Sequence, residues 1–493
     1  MSAHGLDPDM SSAAGSGEQA SPEDTGLTAW MGRVAEELDR TLSDLNAGAV
    51  HDLRVALRRC ISIADVHMAL DPLEAWGEMR KTGRKLFKNL GELRDVQVMM
   101  EWIRRLFGES DAAGIRLEAW LGAREAELCE RAARAVAGFD RKRWLRLQDR
   151  LARRSPPLLP EDAVYRQFAL ERWQEAHELH RGALRNRSYA SFHRLRIGLK
   201  RFRYTVENFL PQRHEIWGGE LKRLQDALGE HHDLFVLWKT ALRAGVLADR
   251  ELRARWRERI EIESRARLLV YRSSTIGRES LWPVWRAGLP RERELRLAAE
   301  ARIRIWASYR DPDFARTLMM AGLALQLFDG LLREGFVDPA AAEDLRCALH
   351  AAAIMSNVGK DAGGRKRGKS SYRLIRKTEP PLGFPPGVYA LAAPAARCRR
   401  SGIRGPAGKH LALLPEAQRP GLRLIAAILC LADAFAPGPE QAIGRIEVGR
   451  KTDVLVISAA GYREDSDLAR EVAAARHPLE VVCRLPILVR PLP

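Results

Sequence analysis

HDLRVALRR, His51 to Arg59, and HRLRIGLKR, His193 to Arg201, decide how this chain is read. Five of their nine positions are identical: the His, Leu53 and Leu195, Arg54 and Arg196, Leu57 and Leu199, Arg59 and Arg201. Downstream, LFKNLGELRDVQV (Leu86 to Val98) is answered by LQDALGEHHDLFV (Leu224 to Val236), sharing Leu-Gly-Glu and the aspartates Asp95 and Asp233. Two matched blocks in the same order and at nearly the same separation mark a duplicated unit. Helical spacing gives each block a physical meaning. His51, Arg54 and Arg58 stand at i, i+3 and i+7 on one face, beside an apolar face of Leu53, Leu57 and Ile61. In the second unit His193, Arg196, Lys200 and Arg203 repeat the basic row, and Leu195, Leu199 and Phe202 take the packing side. Like charges stacked along a helix cost stability unless an anion faces them. Lys81, Arg84, Lys85 and Lys88 make a further row, as do Lys222 and Arg223. Opposed rows from duplicated units predict a cationic cleft.

Working outward, the 493 residues suffice for two or three domains, each with its own core. Lys and Arg outnumber Asp and Glu by 81 to 64, a net +17 that points to a polyanionic partner. Residues 351 to 410 hold 13 Lys or Arg against Asp361 and Glu379, whereas residues 1 to 50 hold nine acids and two arginines. Six cysteines without a CxxC pair argue against a disulfide scaffold or a thiolate zinc site. Apolar runs such as Leu422 to Ala436 are too short to span a bilayer, and the first residues lack the basic start and apolar block of a secretion signal. A cytoplasmic protein without membrane contact is expected.

Residues 1–26, rich in Ser, Ala, Gly and acids, are read as a disordered tail. Residues 27–288 read as helical, in two pseudo-repeats of about 27–150 and 161–288, with RRSPPLLP (Arg153 to Pro160) as the linker. A boundary falls near Trp282 to Pro290. Helical text resumes over 291–493 and ends in β-branched stretches, Ile446 to Ser458 and Leu479 to Val489, around a helix from Ser466 to Ala475. The expected class is mainly α: duplicated antiparallel helical bundles, then a further helical domain with a small α+β extension. Gly91 and Gly229 read most simply as helix-terminating residues.

The order of motifs in both halves resembles the CHAD domain, the conserved histidine α-helical domain, over about Leu27 to Arg286. That resemblance implies two pseudo-symmetric bundles with a basic central surface binding inorganic polyphosphate. Carried over by position, the binding set is His51, Arg54, Arg58, Arg59, Arg84, Lys88 and Arg94 from the first half. The second half contributes His193, Arg196, Lys200, Arg201, Arg203, Tyr204 and Lys222. His232 departs from the pattern, standing where Arg94 stands in the first half. Arginine and lysine suit a polymer charged at every unit with no bases to read. Nucleic acid is the competing partner; the basic rows show no RNP signature and no regular aromatic interleaving.

Residues 291–493 resemble, more distantly, the C-terminal HD-like domain of the exopolyphosphatase/guanosine pentaphosphate phosphohydrolase family. ALQLFDGLL (Ala324 to Leu332), AAAIMSNVGK (Ala351 to Lys360), KSSYRLI (Lys369 to Ile375) and IAAILCLADAF (Ile425 to Phe435) carry the likeness. Where that family's metal ligands would stand the chain has Phe314, Ser356-Asn357 and Asp433, with Ser370 in place of a related His. Three of four ligands are missing, so no metal, no cofactor and no catalytic residue are expected. Lys366, Arg367, Lys369 and Arg373 are read instead as a secondary anion-binding group. Glu261-x-Glu263-x-Arg265 echoes a triphosphate-tunnel signature but lies in helical text, where i and i+2 side chains diverge. The expected role is non-enzymatic polyphosphate binding, at granules or in regulating phosphate-polymer enzymes. The alternatives are residual phosphohydrolase activity and nonspecific nucleic-acid binding.

Overall fold

The computed structural model describes residues 26–154, 158–359, 367–398, 414–436 and 443–492. It is mainly helical with one small C-terminal sheet. The expected disordered tail lies outside the described residues. The described residues form two compact units, one comprising 26–63, 78–154 and 235–259, the other 64–77, 158–234 and the described residues from 260 on.

The first unit is built from α1 (Leu27–Ser43), most of α2 (Ala47–Leu70), α3 (Glu74–Asn89), α4 (Gly91–Phe107), α5 (Ala112–Ala137) and α6 (Arg141–Ala152). Side chains fix the helix starts. Asp111 accepts from the Gly114 amide at 2.7 Å and Asp140 from the Arg143 amide at 2.9 Å, each satisfying a first-turn donor. The expected packing face of α2 is present: Leu53 and Leu57 are fully buried. Trp144 of α6 closes the core and donates from Nε1 to the Met31 carbonyl at 3.0 Å. Phe107 stacks on Trp256, ring centroids 3.8 Å apart.

The second unit begins its helical part with α7 (Ala163–Asn186), α8 (Tyr189–Phe209) and α9 (Pro211–Arg243), the last ending within the first unit, as does the start of α10 (Arg250–Ser273). Ser188 and Asp162 cap α8 and α7. Leu195, Leu199 and Phe202 of α8 are fully buried, as their spacing predicts. After α11 (Leu281–Ala287), α12 (Glu292–Ser308) packs along α7. There Arg302 lies 4.0 Å over the Phe168 ring and pairs with Glu171 at 2.5 Å, and Gln167 donates to the Leu382 carbonyl at 2.6 Å. The C-terminal part is therefore tied to the second repeat.

Helices α13 (Phe314–Arg333), α14 (Pro339–Ile354), α15 (Arg367–Lys377), α16 (Pro386–Cys398) and α17 (Arg419–Ala434) share one core with the sheet. Helix α13 is long and apolar enough to cross a membrane, which the sequence reading did not note. Its Met320, Leu323, Leu327, Phe328 and Leu331 are instead buried in that core. Strands β1 (Ile446–Lys451) and β2 (Val454–Ala459) form an antiparallel hairpin, and β3 (Ile487–Pro491) runs parallel to β2, giving the order β1-β2-β3. Thr452 takes φ 47° in the two-residue turn. Between them lie α18 (Asp467–Ala475) and α19 (His477–Cys483). Leu479 to Cys483, read as strand, is helical: Pro478 suits a first helical turn, and Leu479 and Cys483, one turn apart, are both buried.

Candidate polyanion-binding faces

In the first unit, the basic row of α2 meets the start of α4. Arg54 Nη1 donates to the Phe87 carbonyl at 2.8 Å, and the guanidinium lies 4.2 Å over the Phe87 ring. Burial lowers the Arg54 pKa to about 10; Arg58 and Arg94 push the same way and Asp95 opposes them. His51 is exposed as a residue, yet partial desolvation of its ring leads in holding its pKa down, followed by Arg94, with Arg58 and Arg54 adding and Asp52 opposing. Residues scattered over 44 positions of sequence thus act on one another, as the duplicated pattern implies. Arg94 also pairs with Glu101 at 3.3 Å. Arg84 and Lys88 of α3 are exposed.

The second unit repeats the arrangement with different chemistry. On α8, His193, Arg196 and Lys200 are half-buried in one row facing α9. His193 Nδ1 lies 3.2 Å from His232 Nδ1, and Tyr189 Oη makes a short hydrogen bond to the same His232 nitrogen. Desolvation lowers the His232 pKa to about 4, with Arg196, His193, Lys200 and His231 adding to it. One helical turn and a half earlier on α9, Asp226, exposed as a residue, stands among Arg203, Lys222 and Lys200; partial desolvation of its carboxylate, with Glu230 adding, nevertheless leaves its pKa raised. Asp226 corresponds in the duplication to Lys88, and Lys222 to Arg84.

The two glycines of the repeat have a role other than the expected one. Gly91 opens α4 and Gly229 lies inside α9, so neither ends a helix. A Cβ on Gly91 would stand 3.3 Å from Arg54 Nη1, and one on Gly229 3.7 Å from Arg196 Nε. In both repeats the glycine is the floor on which the matching arginine lies. Sequence spacing alone does not reveal such a contact, since it joins separate helices.

Three expected binding residues sit apart from these rows. Arg59 lies with its guanidinium 4.9 Å over the Trp30 ring, on the side of α2 that packs toward α1. Arg201 points away from its row and pairs with Glu175 at 2.6 Å. Tyr204 is 7% exposed and backs Arg203, whose guanidinium lies 5.9 Å from its ring; a buried phenol offers no surface to a polymer. One step of 100° along a helix separates each from its basic neighbour. Sequence reasoning left His232, Asp226 and Tyr189 out of the set, although the register of the duplication marks the first two as exchanges at basic positions.

Elsewhere, Lys369 and Arg373 are exposed on α15, which starts at Arg367, and Lys366 lies outside the described residues. Arg376 and Arg397 both approach the Tyr372 ring at 5.7 Å. Glu261 and Glu263 lie on α10, paired within the helix to Arg265 at 3.0 Å and Arg267 at 3.1 Å. Where the distant resemblance would place a metal, the donors do not suit one. Arg316 Nη2 donates to Asp433 Oδ1 at 2.8 Å, filling the carboxylate with an internal cation. Asn357 Nδ2 donates to Thr317 Oγ1 at 2.9 Å, and Thr317 donates to Asp311 at 2.5 Å. Among the described residues no group of three or more His, Cys, Asp or Glu is arranged to hold a metal ion.

No curated protein matches the chain. The family described as CHAD domain matches residues 27–242, a span that includes both basic rows, α4 and the His193–His232 pair. Residues 27–242, rather less than half of the chain, are thus similar to the CHAD domain family.

Proposed function

We propose that this protein binds inorganic polyphosphate through the basic faces of its two repeats and does not hydrolyse it. The observation that carries this reading is the repeated arginine: Arg54 and Arg196, at matching positions, each lie over a matching glycine among further cations. A half-buried guanidinium kept beside others of the same sign is costly, only partly offset at Arg54 by Asp95, and is relieved by a further anion. Polyphosphate offers one at every unit, with no base edges to satisfy. The C-terminal third we read as a metal-less relative of the HD-like exopolyphosphatase domain; its Arg316–Asp433 pair supports a binding role over a hydrolytic one. On this reading the protein works in the cytoplasm, at polyphosphate granules or beside enzymes that make or consume the polymer.

The test is a binding titration of the full chain with polyphosphate of defined length, with DNA and RNA as competitors at matched salt. Arg54→Glu together with Arg196→Glu abolishes binding while the far-ultraviolet circular dichroism stays unchanged. Normal binding by the double variant, or equal preference for nucleic acid, removes the proposal. Phosphate release with Mg²⁺ or Mn²⁺ that is lost in Asp433→Ala would establish the hydrolytic alternative.

A further inference from the structure

The two repeats present different charge to their ligand. Between matched positions, Lys88 becomes Asp226 and Arg94 becomes His232, which takes three units of positive charge from the second face when the histidine is neutral. At the centre of that face stand two imidazoles whose Nδ1 atoms are 3.2 Å apart. At that separation one proton bridges the pair. A second would set two N–H groups against each other, unless an acceptor oxygen comes to both.

The Tyr189 hydroxyl, bonded to His232 Nδ1, can accept from that ring, which leaves the second N–H to the ligand. From α8 come Tyr189, His193, Arg196 and Lys200; from α9 come His231 and Asp233. Asp233 acts on Tyr189, while His231 is held by Ser264 of α10 at 2.7 Å. Glu230 and Glu263 are paired with Arg267, and Asp226 stands among Arg203, Lys222 and Lys200. Arg196 and Lys200, with the His193 and His231 imidazoles, oppose the protonation of His232.

We propose that His232, with His193 and Tyr189, is a further polyanion-binding site of the second repeat, which acquires by proton uptake on binding the charge that Arg94 carries permanently in the first. The proton comes from the buffer, and the imidazole N–H groups, turned apart once both are formed, donate to phosphate oxygens. Neutral histidine has both a donor and an acceptor nitrogen, so the empty pair is stable without ligand. This rests on the polyphosphate reading and adds to it a specific chemical demand: one face binds at any pH near neutrality, and the other binds with a proton.

The experiment is calorimetric titration of the full chain with long-chain polyphosphate, whose interior phosphates do not titrate near neutrality, in buffers of differing ionisation enthalpy from pH 6 to 8. The wild-type protein is expected to take up protons and to lose affinity as pH rises, by up to about tenfold per pH unit for each proton fully taken up. His232→Arg is expected to bind at pH 8 as the wild type does at pH 6, with the uptake reduced. His232→Gln is expected to lose the uptake and bind weakly at both values. Asp226→Asn isolates the share of the neighbouring carboxylate, and His51→Gln that of the first repeat. Uptake unchanged in both His232 variants, or lost only in Asp226→Asn or His51→Gln, overturns the inference. Loss of binding by both His232 variants at every pH also overturns it, because His232 would then be a packing residue. Absence of any wild-type binding at pH 6 would instead overturn the polyphosphate reading itself.

Discussion

Arg54 shows how much depends on a neighbour without a side chain. Its guanidinium reaches the Phe87 carbonyl only because Gly91 leaves the space beneath it. Alanine at 91 meets Arg54 Nη1 closely enough to shift it by a few tenths of an ångström, and a larger side chain lifts it off. Gly91→Leu is therefore expected to weaken polyphosphate binding about tenfold, the worth of roughly one charge-assisted contact, with helix content preserved. Gly229→Ala behaves differently. Its Cβ would sit at ordinary contact distance from Arg196, within a helix interior where alanine is favoured by up to about 1 kcal/mol. That variant is expected to melt slightly higher and to bind normally, which a thermal scan and a titration together would check. The basic residues of these faces were legible from helical spacing and duplication. The glycine contacts and the outward turns of Arg59 and Arg201 were not, because they depend on which helix packs beside α2 and α8.

At the scale of elements, the same repeat is stabilised by ordinary burial. Trp144, fully buried, joins α6 to α1 through packing and its bond to the Met31 carbonyl. Trp144→Ala is expected to destabilise the protein by about 3–5 kcal/mol, read as a lower denaturant midpoint. The alternation of apolar and basic positions announced α2 and α8 correctly, since both faces of each helix carry a signal at the 3.6-residue period. Leu479 to Cys483 misled for the opposite reason. Its β-branched composition suggests a strand, but tertiary packing prefers the turn of helix that buries Leu479 and Cys483 together. The linkage of α12 to α7 was also invisible, because Arg302, Glu171 and Gln167 look in sequence like surface residues. Removing residues 291–493 exposes Phe168 and leaves Glu171 without Arg302. The shortened chain is expected to bind polyphosphate but to melt well below the full chain.

The whole molecule carries a further dependence on pH. His67, His180 and His231 are each buried, and desolvation leads in lowering each pKa to about 4. Their unfolded values lie near 6.5, so between about pH 6.5 and 4 the unfolded chain binds more protons than the folded one. Stability from these groups is present above pH 6.5 and is lost as the pH falls through that window, by about 2 kcal/mol for a fully buried histidine at pH 5. Thermal unfolding followed from pH 7.5 to 5 should show a falling midpoint, partly restored by saturating polyphosphate, which binds the folded form.

On the proposed polyphosphate reading, the half-buried guanidinium of Arg316 in the C-terminal part has a practical meaning. Long phosphate chains are chelators, and a fold dependent on a bound divalent ion would surrender it to its own cargo. Arg316 supplies the positive partner of Asp433 from the chain itself, so this pair holds no metal that such a polymer could strip away.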